Sequence, residues 1–206
     1  MAHRDTTTFI PSALEGVDRY RLLTGLVVPR PIGWIGTLGP DGCQNLAPFS
    51  FFNVVAGTPP TVLFSPGRRT GTPKDTLANV VASREFTVSV VDESLAEAMN
   101  LTSGEYPPNI DEFAVANLTV RHGDVVAAPL VAEAPASLEC RVVHVVELAD
   151  PPTNTVVFGE VVRIHVRSDL LDGTRVDPRG LRAVGRMAGS SYTRIVDGYF
   201  EMDRPG

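Results

Sequence analysis

The sequence predicts a mainly β protein, a Greek-key β-barrel with a few short helices. Three observations carry this. Seventeen Pro and eighteen Gly cut the 206 residues into short pieces. Between them lie Val-rich runs of about five to twelve residues, the spacing of a barrel or sandwich. Two longer segments, near 138–148 and 155–167, read as a pair of long antiparallel strands. With 43% apolar and 20% charged residues, the chain has material for a sizeable core. At about 150 residues per domain, the length predicts a single domain over 1–206. Its barrel core spans about residues 20–168. Residues 169–206 form an extension over the barrel or across a neighbouring subunit.

The elements follow in order. Asp18 to Thr24 is a short helix. Ile32 to Leu38 is a strand, and Gly39-Pro40-Asp41-Gly42 turns the chain. Gln44 to Asn53 returns as extended structure, completing a hairpin. Thr61 to Phe64 is a short strand, closed by Ser65-Pro66-Gly67. A helix begins at Thr72, which caps it, with Pro73 in the first helical position, where a missing amide hydrogen costs nothing. Leu77, Val80 and Val81 then recur at helical spacing. Phe86 to Val91 is a strand, and Ser94 to Asn100 a second helix. Leu138, Cys140, Val142, Val146 and Leu148 alternate with Glu139, Arg141 and Glu147, which assigns the charged residues to solvent. Pro151-Pro152-Thr153-Asn154 turns the chain. In the partner strand Val156, Phe158, Val162, Ile164 and Val166 share one face.

Charge excludes several functions. The net charge of −6 argues against a nucleic-acid binder. No run of 18 apolar residues exists, so no membrane span is expected. Met1 to Ser12 lacks the apolar stretch of a signal peptide, and the expected location is cytoplasmic. Cys43 and Cys140 are read as reduced thiols. The four histidines, His3, His122, His144 and His165, are dispersed and at no metal-ligand spacing, so no metal site is expected.

Several catalytic motifs are missing. Gly33, Gly36 and Gly39 do not have the spacing of a dinucleotide fingerprint and lie on a strand and turn. Gly67, Gly71 and Lys74 miss the phosphate-loop spacing. No G-x-S-x-G elbow is present. What remains is an anion site in two parts. The residues from Glu85 to Val120 include seven acids and no base, whereas Ser65 to Lys74 holds Arg68, Arg69 and Lys74 and no acid. Free amides and the dipole at the helix start favour a phosphate there, with Lys74 and Thr76 adding a charge and a hydroxyl. The second part is Asn45-Leu46-Ala47-Pro48-Phe49-Ser50-Phe51-Phe52-Asn53. Its three Phe, with Ser50 and Asn53, offer flat apolar walls beside hydrogen-bonding groups, suited to a planar heteroaromatic ring. Plain helix capping and a core strand with polar ends account for the same residues without any ligand.

The chain also resembles a known family. Arg30-Pro31-Ile32, the Asn45 to Asn53 run and Lys74-Asp75-Thr76-Leu77-Ala78-Asn79 are similar to the flavin reductase-like proteins, which include flavoredoxin and component B of nitrilotriacetate monooxygenase. Val115-Ala116-Asn117-Leu118-Thr119, Ser137-Leu138-Glu139-Cys140, Phe158-Gly159-Glu160-Val161-Val162 and Phe200-Glu201-Met202-Asp203-Arg204-Pro205 extend the match in order over most of the chain.

The resemblance implies an FMN-binding split barrel that works as a homodimer. It puts Ala47, Pro48, Phe49, Ser50, Phe51, Phe52 and Asn53 against the ring and ribityl chain. It puts Lys74, Asp75 and Thr76 at the phosphate, with Ser65 and Arg69 as further phosphate contacts. Near the end, Arg186 to Tyr192 departs from the family's Arg-Leu-Gly-Gly pattern at Met187 and Ala188; Tyr192 is kept as a flavin-side aromatic. The implied function is an NAD(P)H-dependent flavin reductase, with NADH or NADPH as hydride donor and a flavin-dependent monooxygenase or other redox protein as partner. No catalytic side chain is assigned, because hydride transfer is the cofactor's chemistry. Two alternatives stand beside it: a non-catalytic FMN electron-transfer protein, and a module for another planar anion such as pyridoxal phosphate or haem. Thr102 to Pro108 is read either as a lid over the site or as a surface loop.

Overall fold

The computed structural model describes residues 5–69 and 72–203, with the backbone alone at 68, 69, 72 and 73. In chain order the strands are β1 (Gly33–Leu38), β2 (Gln44–Phe49), β3 (Phe52–Gly57), β4 (Pro60–Phe64), β5 (Arg68–Arg69), β6 (Thr72–Pro73), β7 (Glu85–Ser89), β8 (Val120–Arg121), β9 (Leu130–Val131), β10 (Ala136–Leu148), β11 (Asn154–Val166), β12 (Leu171–Asp172), β13 (Arg175–Val176), β14 (Val184–Arg186) and β15 (Tyr192–Arg194). The α-helices are α1 (Gly16–Leu26), α2 (Asp75–Ser83), α3 (Ala96–Leu101), α4 (Glu112–Val115) and α5 (Pro178–Leu181).

Seven strands form one antiparallel sheet in the order β2-β1-β7-β10-β11-β4-β3. Its two edge strands, β2 and β3, are consecutive in sequence and separated only by Ser50 and Phe51. Three residue steps reach about 10 Å. Six flat strand spacings would hold the edges roughly 29 Å apart. The sheet therefore has to curl until its edges meet at that corner, which makes it a barrel. The Ser65 amide ties the corner by donating to the Phe51 carbonyl.

The barrel interior holds Ile35, Phe49, Val62, Phe64, Phe86, Val88, Cys140, Val142 and Val157, and α2 adds Leu77 and Val80. Phe49, Phe64 and Phe86 stack in a chain with ring centroids 5.2 and 5.1 Å apart. A second core lies outside the barrel wall. There Trp34, Leu46 and Ile32 meet Leu95, Met99, Phe113 and Val184. Alternation along β1 thus serves two cores, with Ile35 inward and Trp34 outward. Gly36 has a packing reason: a Cβ there would lie 2.2 Å from the Pro129 carbonyl oxygen.

Four expectations need correction. The helix after residue 70 begins with Lys74, not Thr72, as N-cap, because Thr72 and Pro73 pair with Arg68 and Arg69 in a short ladder. The Gln44–Asn53 run is broken by the corner at Ser50 and Phe51. Glu139, expected in solvent, is fully buried because the 124–126 segment covers it. The long strands are also not regular. A register shift between Val142 and His144 turns Val145 toward the core and leaves Val146 and Leu148 exposed. A second shift, opposite Glu139 and Cys140, separates Ile164 and Val166 from the face of Val156 and Phe158.

The segment after Ser168 forms a short hairpin (β12, β13), α5 and a second hairpin (β14, β15). It returns onto the same chain. Val184 donates to the Val91 carbonyl, and Arg186 and Arg30 exchange backbone bonds at 2.9 Å. Among the described residues, no helix is long and apolar enough to cross a membrane.

Candidate functional site

A cleft of about 830 Å³ opens where the barrel corner, the start of α2 and the C-terminal hairpin converge. Ala47, Pro48, Phe49 and Ser50 at the end of β2 form one wall. Lys74, Asp75 and Thr76 form the next. Thr102 to Pro108 lies opposite, and Arg186, Gly189 and Tyr192 close the side.

No side chain caps α2 at Lys74. The first helical amides thus lack a side-chain acceptor at a turn that lines the cleft, and the positive end of the dipole there suits a phosphate. The Lys74 ammonium stands 5.7 Å from the centre of the Phe49 ring. This contact holds the charge at the edge of the cleft while leaving it exposed. Thr76 is buried, and its hydroxyl accepts a 3.1 Å bond from the Asn45 amide group, linking α2 to β2.

The opposite wall is anchored from below. Trp34 Nε1 donates to Thr102 Oγ1 at 2.9 Å, and that hydroxyl donates to the Met99 carbonyl. Tyr106 turns back and donates to the Leu101 carbonyl at 3.0 Å. On the C-terminal side, the Arg186 guanidinium stacks 4.5 Å from the Tyr192 ring centre. Thr102–Pro108 is thus part of the cleft wall.

Eight of the thirteen residues expected at a ligand line this one cleft: Ala47, Pro48, Phe49, Ser50, Lys74, Asp75, Thr76 and Tyr192. Four do not. Phe52 packs against the barrel core. Phe51 is exposed, with its ring 6.4 Å from that of Tyr20, which does line the cleft. Asn53 is exposed and accepts from the Val54 amide, and the Ser65 amide is bonded to the Phe51 carbonyl outside the lining residues. The Arg69 side chain lies outside the described residues. The three Phe therefore do not make a single flat wall, because the chain turns between them.

The cleft also contains residues that were not among the expected ligand contacts, although Arg30 belongs to the Arg30-Pro31-Ile32 match. Arg30 and Glu112 line it, and both are buried. Glu112 begins α4, where Asp111 caps the Phe113 and Ala114 amides. One Glu112 oxygen accepts from the Leu46 amide at 3.1 Å. Burial pushes its pKa up, and the nearby Asp75 and Asp111 charges push the same way; the Leu46 amide only partly offsets them. Burial raises the half-buried Cys43 thiol, and the Asp41, Asp111, Glu112 and Asp75 charges add to it in that order. The sequence signal for Glu112 was its place in the acidic run, which reads equally as a solvated surface.

Residues 25–183 match the family model described as flavin reductase like domain. This chain belongs to the flavin reductase-like family. It is similar to the crystal structure of nitrilotriacetate monooxygenase component B from Bacillus cereus, at 34% identity and TM-score 0.94, covering 97% of this chain and 100% of that one. It is also similar to 2-nitrobenzoate 2-nitroreductase of Pseudomonas fluorescens, at 30% identity and TM-score 0.88, covering 97% and 96%. A split-barrel protein of the flavin reductase type from Shewanella frigidimarina, at 23% identity and TM-score 0.82 over 95% and 96% of the chains, shares the fold. The barrel is accordingly a split barrel.

Outside the cleft, Asp124, Glu139 and His165 bring three potential ligand atoms within 4.8 Å of one another. Their bonding is structural. Glu139 accepts from the Asp124, Val125 and Val126 amides at 2.8 to 2.9 Å and from His165 Nε2 at 2.7 Å. Arg121 occupies His165 Nδ1 at 3.0 Å. Arginine only donates, so Nδ1 is the acceptor and Nε2 carries the proton given to Glu139.

Proposed function

We propose that this chain is an FMN-binding reductase. It takes hydride from NADH or NADPH, and reduced flavin serves a partner such as a flavin-dependent monooxygenase. One observation carries this reading. A single cleft joins an uncapped helix start bearing Lys74 to the apolar, hydrogen-bonding end of β2. FMN is a flat ring joined to a phosphate, and those two walls match its two ends. Lys74 and the amides at Asp75 and Thr76 would hold the phosphate, and Ala47 to Ser50 would lie along the ring and ribityl chain. When bound, the flavin supplies the hydride-accepting ring. The side chains bind, orient and shield it, and no side chain is assigned as an essential acid or base.

The family relation supports the oxidoreductase class, and the similarity to a monooxygenase component B supports the kind of partner. The homodimer belongs to the same proposal. Val54 and Val55 on β3, Leu23 and Leu26 on α1 and Ile164 on β11 are exposed apolar residues that a second copy would cover. The proposed location is the cytoplasm.

Titration of the purified protein with FMN and riboflavin, followed by NADH or NADPH oxidation, tests the reading. FMN should bind more tightly than riboflavin. Lys74→Met should weaken FMN about tenfold, the loss of one charge-assisted phosphate contact, and leave riboflavin unchanged. Absence of flavin binding would defeat the proposal. Tight FMN binding without oxidation of either nicotinamide would move the chain to the electron-carrier alternative.

A further inference from the structure

A buried cation stands in the cleft wall without a carboxylate beside it. Arg30 is 6% exposed. It takes part in none of the ion pairs formed among the described residues. Its donors go instead to carbonyls and one hydroxyl. Nη1 reaches the Thr24 carbonyl at 2.7 Å and the Val27 carbonyl at 2.8 Å. Nη2 reaches the Met187 carbonyl at 3.0 Å, and Nε reaches Ser50 Oγ at 3.3 Å. The backbone of Arg30 exchanges two further bonds with Arg186.

These partners belong to three separate walls: the end of α1, the barrel corner, and the loop after β14. They are as much as 157 positions apart in the chain. A guanidinium is a planar fork of five N–H groups, and four of them are used here. Such a fork fixes the relative placement of its acceptors in a way a single ammonium does not. Its charge has a second consequence. Carbonyl dipoles solvate a buried cation but do not cancel it, so negative charge arriving nearby is favoured.

We infer that Arg30 is a positioning residue whose one buried guanidinium holds three walls of the cleft together, and whose charge makes the cleft bind reduced, electron-richer flavin better than oxidised flavin. The first half concerns the free protein. The second half rests on the flavin reading above.

The experiment compares wild type, Arg30→Met and Arg30→Lys, each checked for cooperative unfolding. Hydrogen exchange on the flavin-free protein addresses positioning. Amides at 24–30, 50–52 and 187–191 should all exchange at least about tenfold faster in Arg30→Met, with β10 and β11 unchanged, since local opening follows the contacts that hold a segment. Arg30→Lys should loosen the same three segments less, and it carries the comparison if Arg30→Met does not fold. Acceleration confined to one segment, or none, overturns positioning. The midpoint potential of bound FMN addresses charge. Arg30→Met should lower the ratio of reduced to oxidised affinity about tenfold, equivalent to about 30 mV for a two-electron couple. Arg30→Lys, which keeps the charge, should stay within about threefold of wild type, roughly 14 mV on the same scale. An unchanged ratio in Arg30→Met overturns the charge half. If wild type binds no flavin, the flavin reading and the charge half fall together, and hydrogen exchange alone decides positioning.

Discussion

Two buried glutamates in this protein have been pushed in opposite directions. Glu139, on β10, lies under the 124–126 segment; Glu112 lines the cleft. Their exposures are 0% and 8%. Burial raises both pKa values. At Glu139, bonds from the Asp124 amide, His165 and the Val125 and Val126 amides outweigh it and hold the carboxyl down at about 2. At Glu112 the Leu46 amide is too little against burial and two acidic neighbours, and the pKa stays raised. Glu139 has four donors to outweigh its burial, whereas Glu112 has fewer donors and two acidic neighbours beside it. A carboxylate given four donors is a structural tie. Glu112, with only the Leu46 amide and its own amide as donors, is left with a raised pKa beside the cleft.

Breaking the Glu139 tie should have the largest effect. Glu139→Gln keeps the shape but leaves the Asp124, Val125 and Val126 amides facing a group with half the acceptor capacity. The expected loss is about 3 to 5 kcal/mol, the range for removing one partner of a buried charged network. Thermal unfolding should fall by roughly 10 °C for a domain of this size. A change under about 2 °C would show that the 121–126 segment is held by other contacts.

The pH dependence of the same tie is the next effect. Glu139 has a folded-state pKa of about 2, below the unfolded value of about 4.3. The folded state therefore releases this proton more readily than the unfolded one. Its stabilisation is present above about pH 4.3 and disappears as pH falls toward 2. Wild-type melting temperature should drop across that window, and Glu139→Gln should drop less steeply. Parallel slopes would mean that other carboxylates carry the acid transition.

The two glutamates also show what the sequence could and could not reveal. Turns, Val-rich runs and alternation made the barrel legible. So were the strands of the first hairpin and the two long strands, because each depends on local pattern. Burial on both faces was not. The Leu138-Glu139-Cys140 alternation is a correct period with a wrong environment, since a covering segment comes from fifteen residues away. Bulges were also invisible: one extra residue at Val143 or Val162 reverses the faces without altering composition. In the cleft, Lys74 to Thr76 and Ala47 to Ser50 were legible because helix starts and polar-edged aromatic runs are contiguous. Thr102–Pro108 had two readings, a lid or a surface loop, and it lines the cleft; Arg30, present only in the family match, and Glu112 reach the cleft through the fold. The Phe51 to Asn53 stretch was read together with its neighbours because a two-residue corner leaves little trace in the sequence.

The smallest expected effect on stability comes from Glu112, and it has the opposite sign. Its folded-state pKa is raised, so the folded protein holds the proton more tightly than the unfolded chain. That contribution is complete below about pH 4.3 and is lost as pH rises through the raised folded value. Glu112→Gln makes the neutral form permanent and keeps an acceptor for the Leu46 amide. It should differ least from wild type at low pH, by no more than about 1 kcal/mol, and become the more stable of the two as pH rises through the raised folded value. On the flavin reading the cleft follows the same charge. As pH rises, an ionised Glu112 would share the cleft with a phosphate and weaken FMN binding relative to Glu112→Gln. Glu112→Gln should lose that part of the pH dependence and bind FMN several-fold more tightly near pH 8, with riboflavin less affected. Equal FMN affinities for the two proteins at every pH would place Glu112 among the structural carboxylates with Glu139, and the contrast between the two sites would reduce to geometry.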